Sequence, residues 1–351
     1  MLAVTFYKNK FKNNTNRKGE EHMGTTEKGA ILLYRNETPL HVGSGSEMGI
    51  IDLPIQREKH TGFPKMEGSG IKGTFKDYFS SNLPEEILNE ILQESLEENG
   101  DKLVDKLFGK EEMKANDEGD ENVSSQAGGL IFTDAKLLLF PVKSKGSVFR
   151  WITCPYALQR FARELKRVGK SNESNEIEDL LKEYNDNKLD NECMYIVNQK
   201  KENINENNNN RKITLEEIVL EVKIESYEKI IKTLNFIKRV MEGTYLKEKL
   251  NNNIVIVSDE IFGYFTEMST QVDTRIRIGE DGVVKKGGLF TEESLPEECI
   301  LYSVVEEWKD SSLNGFKKGF SFKGGSEESI WLQFGGSKTV GKGLTQVSII
   351  E

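Results

Sequence analysis

The apolar positions of this chain fall into two rhythms, short continuous runs and stripes at helical spacing. AILLYRNETPL (residues 30–40) is a strand-like run, and a glycine-rich stretch follows it directly. Beyond that stretch, Ile71, Phe75, Tyr78 and Phe79 fall at i, i+4, i+7 and i+8, the spacing of one buried helix face, with Ser69 placed to cap its start. Lys72 and Lys76 lie four apart on another face of that helix. Leu83, Ile87, Leu88, Ile91, Leu92 and Leu96 outline a second amphipathic helix. GGLIFTDAKLLLFPV (128–142) reads as a strand with Pro141 at its end. TCPYALQRFARELKRV (153–168) reads as a helix entered through Cys154-Pro155, where proline needs no amide donor.

A strand is expected around 213–224, a helix through 227–241 and a short strand at NIVIVS (253–258). VDTRIRIGEDGVVKKGGLFTEE (272–293) alternates on both sides of Glu280-Asp281-Gly282, the pattern of a β-hairpin. IWLQFGGSKTVGKGLTQVSII (330–350) reads as two strands around a glycine-rich turn. Strands and helices without regular βαβα alternation predict an α+β fold. If the first and last strands neighbour each other, the glycine turns beside them lie close together. Three segments lack such patterning: residues 1–27, the acidic stretch 116–126, expected to be mobile, and 171–212. The last contains NINENNNN, six asparagines in eight residues, and reads as a disordered or variable insertion.

With 351 residues, 36% of them hydrophobic and 30% charged, the chain can bury a substantial core. Cys154, Cys193 and Cys299 are too few and too scattered for a disulfide framework or a zinc site, which favours a reducing, cytoplasmic setting. No apolar run is long enough to span a membrane, and none is expected to be a partner. A net charge of −10 argues at first against nucleic acid, but the charge is segregated. Residues 81–121 hold fourteen acids and four lysines, whereas 135–170 hold nine Lys and Arg against the single acid Glu164. A chain with separated charge can bind a polyanion on one face.

GSKTVGKG (336–343) nearly fits a phosphate loop, but Gly343 replaces the hydroxyl residue and a strand, not a helix, is expected next. GSGSEMG (43–49) fails the dinucleotide fingerprint for the same want of a helix. Glycine turns beside lysines still suit phosphate groups, or merely shape tight turns. GSGIKG (68–73) can offer a helix start, Ser69 and Lys72 to a nucleic-acid backbone, and KTVGKG can add Lys338 and Lys342. Asp52, flanked by Arg57, Lys59 and His60, is a candidate metal ligand or nucleophile-orienting acid, or a salt-bridged loop aspartate. His41 is a base, a phosphate contact or a turn residue. A paired-histidine ribonuclease requires His41 and His60 to converge.

These blocks also resemble a known family. HVGSGSEMGIIDLPIQREKHTGFPKMEGSGIKG closely resembles the opening of the repeated backbone subunit of type III-B CRISPR (Cmr) effectors, of the RAMP superfamily. The match continues through AGGLIFTDAKLLLFPVKSKGSVFRWITCPYALQRF, VSDEIFGYF, TRIRIGEDGVVKKGGLFTEESLP and QFGGSKTVGKG, over most of residues 30–347. The resemblance implies one RAMP domain over 28–351, with an RRM-like (ferredoxin-like) palm, finger elements and variable insertions near 111–127 and 171–212. A protruding thumb hairpin is implied near 270–293. It implies copies stacked in a helix along a CRISPR RNA, joined by other Cmr subunits, cutting complementary single-stranded target RNA at regular six-nucleotide intervals. Within D-x-P-I-x-R-E the aspartate is the cleavage residue, here Asp52, with Mg2+ or Mn2+ as the expected metal. The histidine of H-x-G-S-G maps to His41, and the acidic pair after the thumb to Glu292 and Glu293. Ser44, Arg57, Ser69, Lys72, Lys76, Lys143, Lys338 and Lys342 are the expected RNA contacts.

The chain departs from the family pattern at Gly70, where relatives commonly carry a side chain, and at Lys76, where many have arginine. Lysine there forfeits a bidentate phosphate fork. The extension at 1–27 has no counterpart in the family, and Met23 is an expected start of translation. Two rival functions stand beside target cleavage: a non-catalytic guide-binding backbone, and a ribonuclease that matures the guide.

Overall fold

AILLYRN is apolar at consecutive positions because the strand it forms, Gly29–Asn36, is covered on both faces. It pairs antiparallel with Ile300–Glu307 on one side and Leu344–Ile350 on the other. Ala30, Leu32 and Tyr34 enter one hydrophobic core, and Ile31 and Leu33 enter a second. The computed structural model describes residues 29–46, 49–95, 102–115, 121–186, 193–197, 211–225, 231–241, 244–309, 312–324 and 329–350. The polar extension and the asparagine run lie outside the described residues.

Twelve of the sixteen described strands build one mixed sheet. Its order is Ser329–Gln333, Leu344–Ile350, Gly29–Asn36, Ile300–Glu307, Ala135–Lys143, Phe149–Thr153, Ile254–Ile256, Cys193–Val197, Ile218–Glu225 and Arg211–Leu215. Lys65–Met66 and Leu130–Phe132 pair onto Ala135–Lys143 and Ile300–Glu307. Only Phe149–Thr153 with Ile254–Ile256, and Cys193–Val197 with Ile218–Glu225, are parallel pairs within it. One face is covered by helices Gly68–Asn82, Leu103–Phe108 and Ser312–Gly324, through Phe75, Phe79, Phe108, Phe316 and Phe320. The other is covered by Pro155–Arg167 and Ser171–Asp186, through Phe161, Leu165, Ile177 and Leu180. This is the α+β architecture expected from the pattern. Among the described residues no helix is long and apolar enough to cross a membrane.

The structure corrects several local expectations. GGLIFTDAKLLLFPV is two strands, Leu130–Phe132 and Ala135–Lys143, and Pro141 lies inside the second, opposite Trp151. The break at Thr133-Asp134 serves other elements: Asp134 Oδ1 accepts the amide of Gly68 at 3.0 Å, and Oδ2 accepts Lys65 Nζ at 2.8 Å. Asp134, not Ser69, therefore caps the helix, which begins at Gly68 with Glu67 in the capping position. The stretch around 213–224 is a hairpin of Arg211–Leu215 and Ile218–Glu225, turned at Glu216 with φ of 49°. Residues 171–212, read as an insertion, contribute the helix Ser171–Asp186 and the strand Cys193–Val197. Of the acidic stretch 116–126, Glu121–Gln126 is a strand paired with Lys110–Ala115, and residues 116–120 lie outside the described residues.

Candidate active site

The glycine-rich stretch after the first strand is pinned at intervals to the far end of the chain. Leu40 exchanges both backbone hydrogen bonds with Leu295, at 3.0 and 2.9 Å. Further on, Leu53 bonds the carbonyl of Thr291, and Glu293 returns a bond to Leu53, each at 3.0 Å. Thr291 and Glu293 belong to Val284–Ser294, which pairs with Gln271–Ile278 as a separate two-stranded hairpin. The turn before the last strand closes from a third side, where the Gly336 amide donates to the His41 carbonyl at 2.8 Å. Gly335, at φ of 74°, must be glycine, because a Cβ would overlap that carbonyl. The two glycine turns do meet, and first and last strands are neighbours. Lys338–Val340 make a short 3-10 turn and a strand follows, so this turn opens no helix for a nucleotide phosphate.

A cleft of about 380 Å³ opens between these turns and the start of helix Gly68–Asn82. His41, Gln56, Ser69, Gly70 and Gly336 line it. Asp134 already takes the Gly68 amide and Glu67 also lines the cleft, so of the first-turn amides those of Ser69 and Gly70 are left without an intrahelical acceptor there. His41 is buried, and its Nδ1 donates to the carbonyl of Glu293 at 2.6 Å, which leaves Nε2 as the remaining nitrogen of the ring. His60 bonds the Tyr156 hydroxyl at 3.2 Å and lines a different cleft with Arg160 and Arg163. The two histidines therefore do not converge.

Asp52 lies in the loop that crosses the hairpin base, and its side chain is exposed. The amide and hydroxyl of Thr291 donate to Oδ2 at 2.8 and 3.0 Å, and these bonds hold the carboxyl below its ordinary pKa of 3.8. Among the described residues, Oδ1 has no partner. The acidic pair is placed differently. Glu293 is 2% exposed and accepts bonds from Arg57, from Thr270 Oγ1 at 2.8 Å and from the Ile55 amide at 3.0 Å. Glu292, 3% exposed, lies 2.6 Å from Lys342 Nζ and 3.1 Å from Arg275, and accepts Ser337 Oγ at 2.9 Å. Both acids serve internal ion pairs.

The expected RNA contacts divide in the same way. Ser69 lines the cleft and Lys338 is exposed on the turn beside it. Lys72 is partly exposed with no ion-pair partner among the described residues; burial, then the charge of Lys76, lowers its pKa. Ser44 is exposed and bonds the Pro54 carbonyl through amide and hydroxyl, at 3.0 and 3.2 Å. Lys143 is exposed at the end of its strand and does not line the cleft. Three others are held internally: Lys76 by the Gly109 carbonyl at 2.7 Å, Arg57 by Glu293, and Lys342 by Glu292, Asp273 and Ser294. Thr291 escaped the sequence reading, although it stands directly before the acidic pair on an alternating strand.

Comparison with known proteins places this arrangement in a lineage. The RAMP superfamily profile matches residues 34–346. The CRISPR system Cmr endoribonuclease Cmr4 of Pyrococcus furiosus is 32% identical over 320 residues, covering 90% of this chain and 93% of the relative. The crystal structure of oligomeric Cmr4 from the same organism superposes with a TM-score of 0.60 at 24% identity, over 93% of this chain and 99% of that one. A chain in the cryo-EM structure of the type III-B Cmr-beta complex bound to cognate target RNA gives 0.65 at 20% identity, over 92% and 96%. The chain belongs to the RAMP superfamily, as a relative of the Cmr4 proteins.

Proposed function

We propose that this chain is a subunit of a type III-B CRISPR effector that binds guide RNA and cuts the complementary target RNA. The observation that carries the reading is Asp52: an exposed, ionised carboxylate, fixed through one oxygen at the base of a free-standing hairpin, with the other oxygen open. The cleft of His41, Ser69 and Gly336, with Lys72 and Lys338 nearby in sequence, suits the guide backbone, and base pairing then reads the sequence. Copies of the chain stack along the guide, in company with other Cmr subunits.

Attack of a 2′-hydroxyl on its neighbouring phosphate forms the 2′-oxygen–phosphorus bond and breaks the bond to the 5′-oxygen. This demands an in-line geometry more than a strong base. Asp52, fixed through Oδ2 with its other oxygen open, acts in this reading by orientation and charge. His41 is held by the Glu293 carbonyl beside the guide cleft. A divalent ion, Mg2+ or Mn2+, fits on limited terms. Among the described residues no three His, Cys, Asp or Glu side chains gather to hold one. Asp52 Oδ1 offers one position, and RNA phosphates and water must supply the others, as Mg2+ tolerates. When bound, the ion would neutralise charge developing on the scissile phosphate.

The same isolation of Asp52 favours one rival, a purely structural guide-binding backbone. Assembly of the complex with Asp52→Ala, followed by addition of complementary RNA and divalent metal, separates the two. Cleavage should fall by about a hundredfold or more with the guide still bound. Undiminished cutting would remove Asp52 from the reaction.

A further inference from the structure

Asp52 is separated from Thr291 by 239 positions in sequence, yet one side chain organises its surroundings. The Thr291 hydroxyl carries a single proton. It donates that proton to Asp52 Oδ2 at 3.0 Å and accepts the Asp52 amide at 2.9 Å. The competing acceptor, the Ile50 carbonyl, is farther away at 3.4 Å and uncharged. The Thr291 amide adds a third bond, to Oδ2 at 2.8 Å. Backbone and carboxylate of Asp52 are thereby held from one point on the hairpin. Flanking bonds from Leu53 to the Thr291 carbonyl and from Glu293 to Leu53 keep the loop in register.

We infer that Thr291 is the positioning residue of the cleavage reaction: its hydroxyl ties the Asp52 carboxylate to the hairpin strand and fixes the direction in which its open oxygen points. The inference rests on Asp52 acting in cleavage. It gives the hairpin a chemical task beyond shape. A carboxylate on an exposed loop samples several rotamers, and a reaction controlled by in-line geometry is slowed by each unproductive one. The clasp selects one rotamer and leaves Oδ1 as the free oxygen. Its partners are exposed, so water replaces the lost bonds when the hydroxyl is removed and the fold is little affected. A hydroxyl retained only for packing has the opposite signature.

The test uses the assembled, guide-loaded complex with Thr291→Val, which keeps the β-branched shape and the backbone amide, and Thr291→Ser, which keeps the hydroxyl. Single-turnover cleavage and target-RNA affinity are measured separately, with Asp52→Ala in parallel. The valine variant should cleave roughly tenfold to a hundredfold more slowly. Its affinity should stay within about twofold of the parent, and the serine variant should recover most of the rate. Parental cleavage by the valine variant, equal loss in the serine variant, or an affinity loss that accounts for the rate would overturn the assignment. If Asp52→Ala itself cuts normally, the reading of Asp52 falls and this inference falls with it. If Asp52→Ala is inactive while Thr291→Val is not, only the role of Thr291 is lost. Amide exchange across 50–53 provides a second measure, since the valine variant should exchange its Asp52 amide faster even if cleavage cannot be assayed. An unchanged Asp52 amide would contradict the clasp directly.

Discussion

Asp52 and the pair Glu292–Glu293 face each other across the same hairpin base, and their surroundings are opposites. Glu293 is sealed among Arg57, Thr270 and the Ile55 amide, and Glu292 among Lys342, Arg275 and Ser337. Asp52 is exposed and keeps one oxygen without a partner among the described residues. Three carboxylates equally acidic in composition thus divide into two that hold the site together and one that can act on a ligand. Burial with full pairing commits an acid to architecture, because neither its charge nor its lone pairs remain available. Exposure with one-sided anchoring keeps it available without leaving it loose.

That contrast is open to direct tests. The largest effect belongs to Asp52→Ala, which should lower cleavage by about a hundredfold or more while leaving the melting temperature unchanged. Thr291→Val should produce the next largest loss of rate, again without a loss of stability. Glu293→Ala should do the reverse. Removing this buried carboxylate leaves the partly exposed Arg57 and the Ile55 amide without that acceptor and should cost about 1–3 kcal/mol in chemical denaturation, read before any assay of activity. If Glu293→Ala folds normally but fails to cut, the division between architectural and reactive acids is wrong.

Glu292 gives a gentler probe through pH. Burial alone raises its carboxyl above the ordinary 4.5, but Lys342, the Ser337 hydroxyl and Arg275 outweigh burial and hold it lower. A group whose pKa is depressed on folding stabilises the fold above the unfolded value, and that contribution is lost as pH falls through the folded one. Acidification through and below the ordinary carboxyl range should therefore loosen the parent's hairpin base, measured by amide exchange over Gln271–Ser294. Glu292→Gln should lack this part of the acid transition. The smallest effect is expected at the exposed turn. Lys338→Ala should reduce the salt dependence of guide binding by roughly 0.7 in log–log slope, one phosphate contact's worth. No change in slope would exclude Lys338 from the guide.

Much of the scaffold was legible because its signals are local. Ile71, Phe75, Tyr78 and Phe79 point into the core as their spacing requires. The alternation around Glu280-Asp281-Gly282 forms the hairpin. What the sequence hid arises from tertiary exchange. The strand break at Thr133-Asp134 exists so that Asp134 can cap a helix that starts 66 positions earlier, and no window along the chain contains both partners. Helix Ser171–Asp186 presents only Ile177 and Leu180 fully to the core, too few apolar residues to stand out from a polar, asparagine-rich tract. At the site, the basic and glycine-rich surroundings single out Asp52 and His41 with several roles open, and the resemblance chooses among those roles. The resemblance marks Arg57 and Lys76 as RNA contacts and the glycine turn marks Lys342, and nothing local reveals that internal acceptors hold all three. Thr291 carries no charge and no motif, and only its position against Asp52 discloses it.

The first strand has a consequence for how the molecule is made. Gly29–Asn36 finds both of its neighbours, Ile300–Glu307 and Leu344–Ile350, more than 250 residues later. During synthesis an apolar segment with strand propensity must therefore wait, unpaired, until nearly all the described domain has emerged. Such long-range closure is slow and exposes a sticky edge meanwhile. Helices Gly68–Asn82 and Pro155–Arg167 can form earlier, but the Asp52 loop cannot settle, because the hairpin that anchors it immediately precedes Ile300–Glu307 in the chain. Folding to completion and the assembly of the candidate site are in this protein a single, late event.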